Sequence, residues 1–142
     1  AVYGGEMSAH HYFRDFFYCD SGMIPWLLTI ELLSITGKTL SELVTGYIKA
    51  YPSSGELNFR LTTNDAPTII SAIEDKFSVE NPRKSTLDGL SLNFGEWRFN
   101  LRASNTEPLI RLNIETRGDE QLLANKVREV EQWLTAQGAV PA

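Results

Sequence analysis

The feature that most constrains the fold is a regular alternation of apolar and polar residues near the end of the chain. Residues 90–116 read "LSLNFGEWRFNLRASNTEPLIRLNIET". In three stretches every second residue is apolar, which is the period of a strand with one buried face. A tight turn at Gly95 and Glu96 separates the first two stretches, and a polar segment separates the second from the third. Strands joined through short turns run antiparallel, so the sequence predicts an antiparallel sheet.

One more strand and two helices complete this predicted domain. The stretch "ELNFRL" at 56–61 alternates in the same way, and apolar stripes at helical spacing begin after Asp65 and after Asp119. Both aspartates are typical helix N-caps, and the segment "ENPRKST" is predicted to be a loop. From residue 56 the order is strand, helix, three strands, helix. This order predicts an α+β domain in two layers, a four-stranded antiparallel sheet with helices on one face.

The first fifty residues predict a separate part. They open on the strand-like "AVYG", followed by a helix over 21–34 and a second helix after Thr39, where Glu42 completes a capping box. Because the chain opens directly on a strand, we expect it to be part of a longer protein. The segment "YPSSGE" at 51–56 has the composition of a linker. We therefore predict two domains, residues 1–50 and residues 51–142.

Composition excludes several classes of partner. The formal net charge is -5 and the isoelectric point about 5.0, whereas nonspecific nucleic-acid binding needs a basic face. No stretch approaches the ~18 consecutive apolar residues of a membrane span. Cys19 is the single cysteine, so an internal disulfide is excluded, which fits a reducing compartment. We expect a cytoplasmic protein that binds neither nucleic acid nor membrane.

The polar segment between the last two strands is a candidate anion site. A guanidinium offers a planar fork of donors for phosphate oxygens, hydroxyl and amide groups add further donors, and successive loop N–H groups can form an anion-binding nest. The alternative is a polar turn with a surface arginine, since Ser, Asn and Thr are common turn residues. The candidate residues are Arg102, Ser104, Asn105 and Thr106.

A second cluster, "GGEMSAHH" at 4–11, is a candidate for binding hydroxyl groups. Glu6, Ser8 and His10 alternate, so in an extended loop they point to one side and offer a carboxylate, a hydroxyl and an imidazole. An ordinary exposed loop is the alternative. Metal binding by His10 and His11 is not favoured, because neighbouring histidines usually point apart. No metal site is predicted in this chain.

The two clusters together resemble the α-D-phosphohexomutase family. "GEMSAH" at 5–10 resembles its sugar-binding loop and "RASNTEP" at 102–108 its phosphate-binding loop, in the same order. The resemblance covers essentially the whole chain, as the end of the third (α/β) domain and the complete fourth, TATA-binding-protein-like domain of a four-domain enzyme. With methionine at position 7, this loop is most similar to that of the bacterial phosphomannomutase branch. Ala9 departs from the pattern, where glycine is more usual.

The resemblance implies an activity for the parent protein. Such an enzyme interconverts mannose 6-phosphate and mannose 1-phosphate through a phosphoserine and a hexose 1,6-bisphosphate, and the resemblance implies that the mannose 1-phosphate serves GDP-mannose biosynthesis. Glu6, Ser8 and His10 would hold sugar hydroxyls, while the residues of the second loop would grip the phosphate that is not transferred. The family's serine motif and its magnesium loop are absent from this sequence. The resemblance therefore implies that Mg²⁺ binds outside this chain and that the chain alone is inactive.

Other functions stay open at this point. A phosphoglucomutase or a phosphoglucosamine mutase would differ from a phosphomannomutase in the sugar that it accepts. A self-standing, non-catalytic anion-binding module is a third possibility. For none of these functions does the sequence predict an oligomeric state of the protein.

Overall fold

The computed structural model describes residues 1–6, 9–104 and 106–142. These residues form two compact units, residues 1–46 and residues 47–142. The division falls within a helix, a little before the boundary at residue 50 that composition predicts.

The first unit consists of a hairpin followed by helices. Strand β1 (Tyr3–Gly5) pairs antiparallel with β2 (His11–Phe13), and a short 3-10 helix (Arg14–Phe16) follows. Helix α1 is Met23–Thr36, and helix α2, Leu40–Ala50, crosses the division between the units. None of the residues described in 1–46 is buried, so this unit has no core within the part of the chain that the structure describes.

Local signals account for the limits of both helices. Helix α1 ends at Gly37, whose φ of 64° lies in the left-handed region that glycine adopts readily. Helix α2 begins with the predicted capping box. The amide of Glu42 donates to Oγ1 of Thr39 over 3.2 Å, and the amide of Thr39 donates to Oε2 of Glu42 over 2.7 Å.

The second unit is the predicted α+β domain. Its sheet has the strand order β4-β5-β6-β7-β3-β8, and every neighbouring pair is antiparallel. Both predicted helix caps are confirmed, since Asp65 accepts from the amide of Thr68 and Asp119 from the amide of Leu122. The elements are β3 (Leu57–Leu61), α3 (Ala66–Ser78), β4 (Arg83–Ser85), β5 (Leu90–Asn93), β6 (Trp97–Ala103), β7 (Leu109–Thr116), α4 (Glu120–Ala136) and β8 (Ala139–Pro141).

The prediction of four strands is wrong, because the described sheet has six. Strand β4 lies where a loop was predicted, and all three of its residues are exposed. It exists through main-chain pairing with β5 and carries no apolar alternation that a sequence pattern can reveal. Strand β8 pairs with β3 after the turn at Gly138 and is equally short. Both are edge strands, which are often short in natural sheets.

The core lies on the face of the sheet that the helices cover, as predicted. Alternate residues of the strands are buried against α3 and α4, and the intervening residues form a polar face on the other side. The largest fully buried side chains are Phe59, Phe77, Phe99, Ile69, Ile73, Leu90, Leu92, Leu101, Ile110, Leu112, Ile114 and Leu134.

The predicted linker is attached to strand β7. The amide of Thr116 donates to the carbonyl of Pro52 over 3.0 Å, and the amide of Ser54 donates to the carbonyl of Ile114 over 2.9 Å. Oγ of Ser54 accepts from the amide of Ile114, also over 2.9 Å. Pro52 is buried. Residues 52–54 are therefore held against the end of β7, where Ser53 and Glu115 form an isolated antiparallel bridge, and they do not form a free loop.

We predict that Leu112→Ala lowers the free energy of unfolding by about 2–5 kcal/mol, because Leu112 is fully buried and its truncation leaves a cavity. The matched control is Leu87→Ala. Leu87 is 98% exposed, so its truncation should change stability by less than about 0.5 kcal/mol. Urea unfolding of the three chains measures both effects, and equal losses in the two variants would contradict this placement of the core.

Candidate functional site

The polar segment of the sequence forms the connection between β6 and β7. The amide of Ser104 donates to the carbonyl of Leu109 over 2.8 Å, and the carbonyl of Pro108 accepts from the amide of Leu61 over 3.1 Å. The amide of Thr106 donates to Oγ of Ser104 over 3.4 Å. Asn105 lies outside the described residues. The loop is thus tied both to itself and to the neighbouring strand β3.

Arg102 stands at the end of β6 on the polar face of the sheet. Its Nη2 atom lies 3.3 Å from Oε2 of Glu56, and Oε1 of the same glutamate lies 3.8 Å from Nε of Arg111. Sequence analysis missed Glu56 and Arg111. The alternation places both on the polar face, but only the register of three strands shows that they meet Arg102.

The backbone of Arg102 is closely packed against Gly89. A Cβ atom at position 89 would lie 2.5 Å from the carbonyl oxygen of Leu101 and 2.6 Å from Cβ of Arg102, and φ of Gly89 is +70°. Glycine is therefore required here on two grounds, space and backbone conformation. This contact limits where the main chain of Arg102 can lie.

In the first unit, the loop between β1 and β2 carries the other predicted residues. The carboxylate of Glu6 accepts a hydrogen bond from the hydroxyl of Tyr12 over 2.8 Å, which raises the pKa of Tyr12. The backbone of Glu6 also binds the loop, since its carbonyl accepts from the amide of Ala9. Ala9 has a φ of 64°, a conformation that glycine adopts more readily than alanine. Ser8 lies outside the described residues.

His10 is paired with Asp20, a residue that sequence analysis missed. Nδ1 of His10 lies 2.6 Å from Oδ2 of Asp20, and the amide of His11 donates to Oδ1 over 3.0 Å. The hydrogen bond and the charge of Asp20 raise the pKa of His10, and the charge of Glu6 adds to this. The hydrogen bonds from His10 and from the amide of His11 lower the pKa of Asp20. Asp20 therefore orients the imidazole and the backbone of the loop together.

The predicted residues thus form two clusters on separate units. Glu6 and His10 share the loop of the first unit, and Arg102, Ser104 and Thr106 share the end of the β6–β7 hairpin in the second. No group of three or more His, Cys, Asp or Glu side chains within 1–6, 9–104 and 106–142 is arranged to hold a metal ion. In the same residues no helix is both long and apolar enough to cross a membrane.

A cavity of about 330 Å³ lies elsewhere, at the opposite end of the β6–β7 hairpin. It contains none of the predicted residues. Arg98 and Glu115 in its lining form an ion pair, with 2.8 Å between Nη2 and Oε2. Two arginines line this cavity, but Arg98 is paired with Glu115 and Nε of Arg117 donates to the carbonyl of Gly95.

Comparison with protein families matches both units. Residues 1–51 match the model described as "Phosphoglucomutase/phosphomannomutase, alpha/beta/alpha domain III". Residues 56–132 match the model described as "Phosphoglucomutase/phosphomannomutase, C-terminal domain".

Curated relatives and a solved structure agree with these matches. The chain is 55% identical over 128 residues to a phosphomannomutase of Escherichia coli K12, which covers 90% of this chain and 28% of the relative. It is 52% identical over 134 residues to a protein of Xanthomonas campestris named "Phosphohexose mutases", covering 94% and 30%. A phosphoglucomutase/phosphomannomutase family protein from Burkholderia thailandensis superimposes with a TM-score of 0.68 at 26% identity, covering 99% of this chain and 30% of that one. The chain thus spans about 30% of the length of these relatives.

We predict that Asp20→Asn lowers the pKa of His10 toward its ordinary value of 6.5. Because the pKa of His10 is raised in the folded protein, the stability that its protonated form contributes is fully present below about pH 6.5. This contribution is lost as the pH rises through the raised pKa. Because the pKa of Asp20 is lowered in the folded protein, the stability that its ionised form contributes is fully present above about pH 3.8. This contribution is lost as the pH falls through the lowered pKa. The pair is therefore complete between these limits.

An NMR titration of the His10 imidazole measures this change. The matched control is Asp15→Asn, because Asp15 is a neighbouring carboxylate paired with Arg14 and not with a histidine. An unchanged titration of His10 in Asp20→Asn would contradict the pairing.

Proposed function

This chain belongs to the phosphoglucomutase/phosphomannomutase family, and from that membership we propose that it supplies part of the substrate site of a phosphomannomutase. In this proposal residues 1–50 come from the third, sugar-binding domain, and residues 51–142 form the fourth, phosphate-binding domain. The observation that carries the proposal is the end of the β6–β7 hairpin, where Arg102 stands beside a hydroxyl-bearing loop that the neighbouring strands fix in place.

The phosphate-binding part of the site consists of Arg102, Ser104, Asn105 and Thr106. One terminal amino group of Arg102 contacts Glu56, and the remaining guanidinium donors make no hydrogen bond to the residues that the structure describes. A guanidinium with donors to spare, next to hydroxyl groups and loop amides, suits a phosphate dianion. Such a site grips the phosphate with little dependence on the rest of the ligand.

The sugar-binding part consists of Glu6, Ser8 and His10. A carboxylate and an imidazole hydrogen-bond well with sugar hydroxyls. Tyr12 and Asp20 support them, since each makes a short hydrogen bond to one of the two described members of the set. These contacts limit the rotation of both side chains before a ligand binds, which lowers the entropic cost of binding.

The parent enzyme would interconvert mannose 6-phosphate and mannose 1-phosphate. In this mechanism a phosphoserine gives its phosphoryl group to the hexose phosphate. The resulting 1,6-bisphosphate then reverses its orientation and transfers its other phosphoryl group to the serine, which regenerates the phosphoserine. This chain would hold the phosphate that is not reacting, in both orientations of the sugar. In this proposal the phosphoserine and the Mg²⁺ ion belong to other parts of the parent, because this sequence contains neither the family's serine motif nor its magnesium loop.

A different sugar phosphate is the second candidate. The matching family models name phosphoglucomutase beside phosphomannomutase, and one relative carries the broader name "Phosphohexose mutases". A grip on the phosphate alone does not select between mannose and glucose. A self-standing anion-binding module remains the non-enzymatic alternative. Turnover of mannose 1-phosphate against glucose 1-phosphate in the full-length parent separates the two sugars.

We predict that inorganic phosphate and mannose 6-phosphate shift the amide NMR signals of Ser104 and Thr106, and that Arg102→Ala weakens this binding by roughly tenfold to a hundredfold. The reason is the loss of a charge-assisted hydrogen bond, worth about 1.5–3 kcal/mol. The matched control is Arg98→Ala. Arg98 lies on the same strand and face but is paired with Glu115 at the other end of the hairpin. Equal weakening by the two substitutions would reduce the effect to general electrostatics and would contradict the proposed loop site.

We further predict that the chain alone does not convert mannose 1-phosphate to mannose 6-phosphate, because its sequence has no phosphoserine motif. A coupled assay with added hexose 1,6-bisphosphate and Mg²⁺ tests this, with the full-length parent as the positive control. Turnover by the purified chain would show that the reacting groups lie within residues 1–142.

A further inference from the structure

Glu56, Arg102 and Arg111 form a charge cluster on the polar face of the sheet. Strand pairing places Arg102 of β6 directly opposite Arg111 of β7, an arrangement in which like charges repel. The carboxylate of Glu56 contacts both, at 3.3 Å from Nη2 of Arg102 and 3.8 Å from Nε of Arg111. All three side chains are only 26–32% exposed, so solvent screens these charges incompletely. One carboxylate therefore serves two guanidinium groups.

The two contacts of Glu56 are unequal. The contact with Arg102 is a hydrogen bond, whereas the distance to Arg111 is too long for one. Nε of Arg111 is buried and has no hydrogen-bond partner among the described residues, and a buried donor without a partner is destabilising. A shift of the carboxylate by about 1 Å toward Arg111 would bring this N–H within hydrogen-bond distance. The cluster thus contains a second position that is ready for the carboxylate.

We infer that Glu56 competes with phosphate for Arg102: its carboxylate holds the guanidinium when phosphate is absent and moves to Arg111 when phosphate binds. This inference rests on the proposed phosphate-binding role of Arg102. Carboxylate and phosphate oxygens are alternative acceptors for the same guanidinium donors, so the two anions exclude each other at Nη2. Arg111 keeps the displaced carboxylate paired after the exchange.

Glu56 and Arg111 therefore act as positioning residues. Neither needs to touch the phosphate, and both set its affinity through Arg102. The exchange also keeps the charge of Arg102 compensated in the empty site, where two facing guanidinium groups would otherwise lie on adjacent strands without an anion. Release of phosphate is assisted in the same way, because a carboxylate stands next to the guanidinium that the phosphate leaves.

The test is a titration with inorganic phosphate at constant ionic strength, followed by amide NMR, on the wild-type chain and its variants. Glu56→Gln removes the competing charge and should lower the Kd for phosphate by roughly three- to tenfold. Arg111→Met leaves Arg102 as the one ion-pair partner of the carboxylate among the described residues and should raise the Kd by a similar factor. In the background of Glu56→Gln, adding Arg111→Met should raise the Kd by no more than about twofold relative to Glu56→Gln alone. In that background only a screened nearby charge is lost.

The matched control is Glu115→Gln, which removes a carboxylate from the same face of the sheet. Glu115 is paired with Arg98, so its neutralisation should leave the Kd within about twofold of the wild-type value. If Arg111→Met does not fold, as judged by its amide spectrum, Arg111→Gln replaces it.

A purely structural role of Glu56 predicts the opposite sign, namely weaker phosphate binding in Glu56→Gln because Arg102 loses its support. That result, or the same effect of Arg111→Met in both backgrounds, would overturn the inference while leaving the phosphate site intact. Failure of the proposed function looks different. In that case Arg102→Ala leaves the Kd unchanged, or neither the wild-type chain nor Glu56→Gln binds phosphate, and the inference falls with it.

Discussion

The register between β6 and β7 is the constraint on which the second unit depends. Seven residue pairs, from Trp97 opposite Thr116 to Ala103 opposite Ile110, make this the longest ladder described in the sheet. Because side chains alternate, a slip of one residue would turn the apolar set of either strand out of the core. The same register sends Arg102 and Arg111 to the polar face and sets where the connecting loop begins. Packing of the core and placement of the candidate site are therefore two results of one pairing.

A structural feature can be predicted from the sequence when the residues that determine it lie close together in the chain. The caps at Thr39, Asp65 and Asp119 act over three residues, so their spacing in the chain predicts them directly. The alternation in β6 and β7 reflects burial on one face and is equally readable. Strands β4 and β8 carry no such pattern, since they are held by main-chain pairing at the edges. The contacts made by Glu56 and by Asp20 join residues that are distant in the chain, and composition carries no record of them.

The two units differ in how their side chains are supported. Strand β6 lies over a core whose residues are almost completely buried, so the loop that follows Arg102 starts from a rigid base. Helix α1 is apolar around its whole circumference, and residues such as Trp26 and Ile35 remain exposed, at 55% and 77%. A helix of this kind is normally buried. Around the loop that bears Glu6 and His10, the described support comes from the pairing of β1 with β2 and from the polar contacts of Asp20 and Tyr12.

The attachment of residues 52–54 to β7 has a consequence for chain mechanics. A flexible linker of six residues would behave as a tether whose reach grows with the square root of its length. Residues 52–54 cannot extend in this way, because they are hydrogen-bonded to Ile114 and Thr116. The carbonyl of Ala50 is held as well, by the amide of Gly118. A displacement of the C-terminal end of α2 therefore moves the end of β7 with it, and β7 is the strand that follows the loop between β6 and β7.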